Sequence, residues 1–384
     1  MQAHTLLTIN GRIEIQRRRW HIGRQGSTTP ADSLVELSEA TVSLGARELC
    51  CRLNANASSF EKAAENLKRA AQIHLSGELL RQVVETEGKS VMAANQAELL
   101  SPVWKASECR TPEGKSRVYM GADGVMVPHV TDAEKQKRRE RVRGKRQRRG
   151  RRCKPLPTPK RGADQSYKEF KIVTFYDQEM TRRLVSVTRG NHEAAGRLMR
   201  RDARRIDLKS AEERVGNVDG SPWIVNQTHK QRLKLSAVGL DFYHFGENVH
   251  KGRRSAFGEQ DGAGESWAGQ VLHVAKHEGY DRLWNQLVTW RGGLKGRAQR
   301  RAADQLLNYV SDRRAMILYP AFLARGWQIG SGPTESMCKL VPKRLKGTGM
   351  RWDSDNAEAV ACLEAMEQSH QWSQYWAASF ASRN

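Results

Sequence analysis

Residues 117–128 read RVYMGADGVMVP. The apolar residues Val118, Tyr119, Met120, Val125 and Val127, with a proline at the end, make this stretch a strand candidate. One acid, Asp123, lies inside it between Gly121 and Gly124. Glycines in a strand let another backbone or a substrate come close. Asp-Gly is also a strong hairpin dipeptide, so a turn aspartate is the alternative. Against that, Met126 and Val127 resume the strand at once.

Working outward, FKIVTFY at 170–176 and RLVSVT at 183–188 read as two strands joined by the polar turn Asp177-Gln178-Glu179. Asn191 caps a helix running to Ile206. Glu213–Asn226 reads as a fourth strand followed by a loop, and Ser236–Phe242 as a fifth strand. Residues 243–325 are mostly helical, with a glycine-rich break at 258–264. This order is α/β with an antiparallel start, the order of a ribonuclease-H-like core. Toward the N-terminus, residues 6–20 alternate around Asn10-Gly11 as a hairpin, and 21–35 are loop-like. Ser58 or Ser59 caps one short helix, and Ser76 caps a second that stops near Gly88. Helices joined this way resemble a helix-turn-helix.

The expected organisation is an N-terminal hairpin and loop (1–36) and a small helical, helix-turn-helix-like domain (37–112). A ribonuclease-H-like core (113–254) follows, with a disordered basic loop at 133–165. A helical insertion (255–325) and a C-terminal catalytic helix and tail (326–384) complete it.

The 384 residues include 65 Lys and Arg against 42 Asp and Glu, a net charge of +23. A polyanionic partner, nucleic acid, is the expectation. No apolar run is long enough for a membrane span, and Met1–Trp20 has no apolar core of a signal peptide. Six cysteines without metal-site spacing fit a reducing cytosol. The charge concentrates at Lys135–Lys154, with 13 Lys or Arg and one acid, Glu140, in 20 residues. Mutual repulsion in this tract, with Pro155, Pro157 and Pro159 after it, predicts disorder. Phosphate neutralisation is its natural use, and a solvated solubilising tract is the alternative.

Two further acids share the character of Asp123. Asp219 follows Val215 and Val218 and precedes Gly220-Ser221-Pro222, where a turn role is the alternative. Glu335 falls in the first turn of a helix started by Gly332-Pro333, where the dipole alone would favour an acid. Lys339 lies four residues on, Lys343 and Lys346 fall near the same face, and Pro342 is expected to kink the helix. Three carboxylates on such elements would hold two divalent ions about 3.5–4 Å apart around a scissile phosphate. Trp267, Trp284, Trp290 and Trp327 read as helical packing rather than base-stacking groups. His273 and His277 lack the glutamate of a zinc protease, and no phosphate-binding loop of the ATPase type occurs.

At these motifs the chain resembles the DDE transposases of bacterial insertion sequences, most closely the Kra-type group (ISKra). The matching segments are Gly121–Pro128, Val218–Ile224, Leu240–Asn248, and Gly330–Ser336 through Cys338–Trp352; Leu49–Gly88 also looks like the N-terminal region of that family. The resemblance implies a ribonuclease-H-like domain in which Asp123, Asp219 and Glu335 are catalytic and bind two Mg²⁺ ions, with Mn²⁺ able to substitute. It implies a helical insertion before Glu335, and cleavage of element ends with joining to target DNA, by a homo-oligomer in the prokaryotic cytoplasm at the nucleoid. The DNA-binding candidates are Lys135, Lys137, Arg138, Arg139, Arg141, Arg143, Lys145, Arg146, Arg148, Arg149, Lys339, Lys343, Arg344 and Lys346. Asp241 and His244 match an Asp-x-x-His motif of Mutator-like transposases and are candidates for supporting the active site; a strand-end aspartate and a satisfied histidine are the alternative. Arg17–Asp32 carries no cysteine where the family has a zinc-ribbon-like element, and Thr334, Ser336 and Pro342 depart from its last motif. The rival function is therefore a catalytically inactive, transposase-derived DNA-binding protein.

Overall fold

A computed structural model describes residues 2–23, 26–30, 41–156, 164–259 and 261–381. The hairpin expected around Asn10 forms: β1 (Gln2–Thr8) pairs antiparallel with β2 (Gly11–Arg17), and Gly11 takes the positive φ of 103° that closes the turn. Part of the expected loop after it is a second small hairpin, β3 (Trp20–Ile22) with β4 (Gly26–Thr28).

Among the described residues three helices follow, each capped by a serine side chain: α1 (Leu44–Ala55) by Ser43, α2 (Phe60–Ala71) by Ser59 and α3 (Gly77–Gln96) by Ser76. Helix α3 does not stop near Gly88. A Cβ at Gly88 would lie 2.5 Å from the carbonyl oxygen of Ala359, so this glycine is a contact point between helices rather than an end signal.

The central sheet has five strands. Its middle strand β5 (Arg117–Pro128) is followed by α4 (Asp132–Arg148), β6 (Tyr167–Tyr176), β7 (Arg183–Thr188), α5 (His192–Arg205), β8 (Glu213–Val218), α6 (Pro222–Lys230) and β9 (Ala237–Leu240). The spatial order is β7-β6-β5-β8-β9. β5, β6 and β7 run antiparallel, whereas β8 and β9 run parallel to β5. The chain is thus a mixed α/β fold around a mixed sheet. Asn191 caps α5 as expected. The stretch after Asp219, read as loop, is helix α6 with Pro222 in its first turn.

The basic tract departs from expectation: Asp132–Arg148 is helical rather than a disordered loop. Thr131 and Glu134 form a reciprocal capping box, and Asp132 and Glu134 occupy the first turn. Lys145, Arg146 and Arg148 sit in the last turn, where cations suit the dipole. Arg and Lys are also good helix formers. These local effects offset the mutual repulsion of the cations. None of the helix's residues is buried. Of the rest of the expected loop, residues 157–163 lie outside the described residues.

After β9 come α7 (Phe242–Phe257), α8 (Gly262–His277), α9 (Tyr280–Gly293), α10 (Arg297–Asp312), α11 (Tyr319–Ala324), α12 (Gly332–Leu340), α13 (Ser354–Gln368) and α14 (Trp372–Ala381). One core joins one face of the sheet (Val125, Ile172, Val185) to Leu67, Val84 and Val91 of the N-terminal helices and to Val360, Leu363 and Trp376 near the end of the chain. Helices α1 to α3 therefore share their interior with α13 and α14. The second core joins Val173 and Met199 to Phe245, Val249, Val271, Leu287 and Val310 of the later helices. Trp267 and Trp290 pack there 4.2 Å apart, and Trp327 is buried edge-on to Phe322. No helix among the described residues is long and apolar enough to cross a membrane.

Candidate active site

Asp123 lies inside β5, paired with Ile172 of β6, and is half-buried. Asp219 follows the last residue of β8, the parallel neighbour of β5. Its two oxygens accept the backbone N–H and hydroxyl of Ser221, at 2.8 and 2.6 Å. Asp219 is near enough for its charge to act on Asp123. Burial, and after it the charge of Asp219, push the Asp123 carboxyl above the usual range, while the Gly124 N–H pulls the other way.

Glu335 comes from α12. That helix seats closely on the sheet at Gly121, where a Cβ would lie 1.9 Å from the Thr334 hydroxyl oxygen. Thr334 and Thr174 hydroxyls are hydrogen-bonded at 2.8 Å, and Thr174 also donates to the Gly121 carbonyl at 3.2 Å. Gly121 thus seats Thr334 on β5 two residues before Asp123 and delivers the neighbouring Glu335 to the same region. The Glu335 oxygen accepts from the Ser331 hydroxyl at 3.1 Å. Pro342 does not kink α12, because the helix ends at Leu340 and a tight turn at Lys343–Leu345 takes over.

His244 stands beside Glu335, and its charge is also felt at Asp123. Its Nε2 is 3.9 Å from Glu335 Oε1 and its Nδ1 3.2 Å from Glu247 Oε2. Burial alone would lower the imidazole's pKa, but Asp241, Glu247 and Asp219 outweigh it and raise it. Asp241, fully buried, caps α7 by accepting the His244 N–H at 2.7 Å and, with its other oxygen, accepts the Ser331 N–H. Asp241, His244 and Glu335 offer ligand atoms within 4.8 Å of one another. Because backbone N–H groups already occupy both Asp241 oxygens, Asp241 is better suited to positioning. Cys338, one turn beyond Glu335, is a half-buried thiol facing Asp123; burial first, and then Asp123, push its pKa up. Sequence reasoning missed Ser331, Thr334 and Cys338 as parts of the site. The helical spacing of Cys338 from Glu335 is a signal that could have found it.

Among the described residues no Lys or Arg forms an ion pair with Asp123, Asp219 or Glu335. Of the basic candidates, Lys137, Arg138, Arg139, Arg141, Lys145, Arg146, Arg148 and Arg149 are exposed on or at the end of α4; Arg143 is half-buried, and Lys135 is paired with Asp353. Lys339, Lys343 and Lys346 are exposed. Arg344 does not belong with them. It is 4% exposed, donates to the Asn54 side chain at 3.1 Å and lies over the rings of Phe60 and Trp352. Burial brings its guanidinium down to about 10. Its role is to tie the turn after α12 to the N-terminal helices, which removes it from the DNA-binding set.

No protein-family model matches the chain, and no curated protein matches it. A solved structure, the Drosophila P element transposase strand transfer complex, is similar over 88% of this chain and 82% of that chain, at 8% identity and a TM-score of 0.31.

Proposed function

We propose that the chain is a DNA transposase of the DDE kind, of the ISKra group its motifs resemble, acting by metal-dependent phosphoryl transfer on element ends and target DNA. The observation that supports this reading is that the charge of Asp219, just after β8, acts on Asp123 of the adjoining β5 and on His244, while His244 stands 3.9 Å from Glu335 of α12, with no Lys or Arg ion pair to these acids among the described residues. The strand order, antiparallel on one side of β5 and parallel on the other, is the one a ribonuclease-H-like core would have and supports the same reading.

The donor set fits a hard divalent cation: three half-buried carboxylates, one of them raised in pKa by burial and by a second carboxylate. Asp123, Asp219 and Glu335 would hold two Mg²⁺ ions, or Mn²⁺ in their place. Bound there, the ions would supply charge stabilisation to a phosphoryl centre and a nucleophilic water or 3′-hydroxyl. The chain's own residues do the placing. Ser221 orients Asp219, Ser331 orients Glu335, and His244 balances the negative charge. The exposed cations of α4, with Lys339, Lys343 and Lys346, meet phosphates on both sides of the cut. Assembly of two or more copies on DNA belongs to the same proposal.

The test pairs a gel-shift titration with a Mg²⁺-dependent nicking assay on a duplex bearing an element end. Glu335→Gln should abolish nicking and leave DNA binding nearly intact. Nicking by the variant at the wild-type rate would move the metal to other residues. DNA binding by a wild-type chain that takes up no Mn²⁺ and never nicks would establish the inactive DNA-binding protein instead.

A further inference from the structure

Helix α7 begins at the acidic cluster and leads away from it. Tyr243, Glu247, His250 and Arg254 recur at helical spacing, so they share one stripe. The stripe borders a cleft of about 1070 Å³, with Phe242, Leu272 and Ile329 among its apolar lining and Lys251 and Lys276 among its cations. This exceeds the ~300–1,000 Å³ that encloses a drug-sized molecule. Tyr243 is 76% exposed, more than any other large hydrophobic side chain among the described residues. Its ring sits beside Gly330, next to the Ser331 that orients Glu335.

The charge along this cleft is graded. Glu247 faces His244 at the cluster end. Farther out, Lys251 and Arg254 are exposed, and neither they nor Lys276 has a carboxylate ion-pair partner among the described residues. The Lys276 ammonium lies over the Phe242 ring at 5.8 Å. Apolar lining and an exposed aromatic ring suit the faces of unpaired bases, which a duplex hides inside its stack. Unpaired cations suit the connecting phosphates.

From this we infer that the α7–α8 cleft holds a single-stranded DNA segment adjoining the scissile phosphate, with one base stacked on Tyr243 and the backbone met by Lys251, Arg254 and Lys276. The inference rests on the proposed function for the chemistry at the neighbouring acids. It adds that part of the substrate is unpaired when bound.

The experiment measures anisotropy of a fluorescein-labelled oligothymidylate and of a hairpin duplex, with full-length protein in EDTA. The salt is raised until the contribution of α4 is largely screened. Tyr243→Ala should weaken oligothymidylate binding by about fivefold or more and leave duplex binding unchanged, whereas Tyr243→Phe should bind like wild type. Lys251→Gln with Arg254→Gln should flatten the salt dependence for the single strand. Equal single-strand affinity of wild type and Tyr243→Ala overturns the inference, as does equal loss on both DNAs. Nicking is scored separately. A wild type that never nicks but shows Tyr243-dependent single-strand binding sinks the catalytic proposal and upholds this one. Metal-dependent nicking with no effect of Tyr243 does the reverse.

Discussion

The buried carboxylate of Asp241 accepts the backbone N–H of Ser331, 90 residues further along the chain. The same side chain caps α7 through His244, so one residue fixes both the helix that carries His244 and the start of the helix that carries Glu335. Asp241→Ala removes the cap and leaves a buried N–H unpaired. It should cost about 2–4 kcal/mol in urea unfolding. Asp241→Asn keeps a capping acceptor and should cost less. If Asp241→Ala unfolds at the wild-type midpoint, the tie contributes nothing.

Gly121→Ala should displace α12, because its new methyl would overlap the Thr334 hydroxyl. A loss of about 2 kcal/mol or more is expected, with loss of nicking. Thr334→Ala removes the overlapping oxygen, so the double variant should be more stable than additivity of the two single changes allows. Strict additivity in thermal or urea unfolding would mean the helix is seated elsewhere.

Basic residues in similar sequence company should behave in opposite ways. Replacing Arg138, Arg139, Arg141 and Arg146 with Gln should flatten the plot of log K against log salt, by about 0.9 for each phosphate that the protein no longer neutralises, with unfolding little changed. Arg344→Gln should leave that slope alone and destabilise by about 1–3 kcal/mol, since its Asn54 and ring contacts are internal. Isotherms at several salt concentrations, run beside urea curves, separate the two.

His129 is 1% exposed, and its Nδ1 lies 2.9 Å from the Val127 carbonyl. Burial pushes its pKa below the ordinary 6.5, with Lys168 and Lys135 acting the same way. The unfolded chain then binds this proton more readily than the folded one. The histidine's contribution is therefore full above pH 6.5 and falls as pH drops toward the folded-state value. His129→Gln should flatten unfolding free energy against pH just below 6.5. An unchanged slope assigns that acid sensitivity to other groups.

The central strand was legible because its apolar run, its two glycines and its single acid agree, and the structure uses Gly121 for the close approach that a strand glycine suggests. The serine and asparagine caps were legible for the same local reason. The basic helix was not, because a tract of like charges argues for disorder while its capping box argues for order, and composition alone does not rank them. Gly88 misled because a glycine at a helix crossing and one at a helix end look alike without the partner, Ala359. Arg344 sits among exposed lysines in sequence, and only the rings of Phe60 and Trp352 show that it faces inward. Thr334 is a docking contact whose partner, Gly121, lies more than two hundred residues earlier, a pairing that nothing local in the sequence shows.

The packing of Gly88 against Ala359 has a consequence for how the polypeptide is made. Helices α1 to α3 leave the ribosome with an apolar face whose cover, α13 and α14, has not yet been translated. At ~5–20 residues/s, that wait is roughly 15–55 s. During this interval the nascent chain should present a site for a holdase chaperone, and a message cut short before Trp376 should yield a product marked for proteolysis. The fold of α1 to α3 is thus completed only once α13 and α14 have been made.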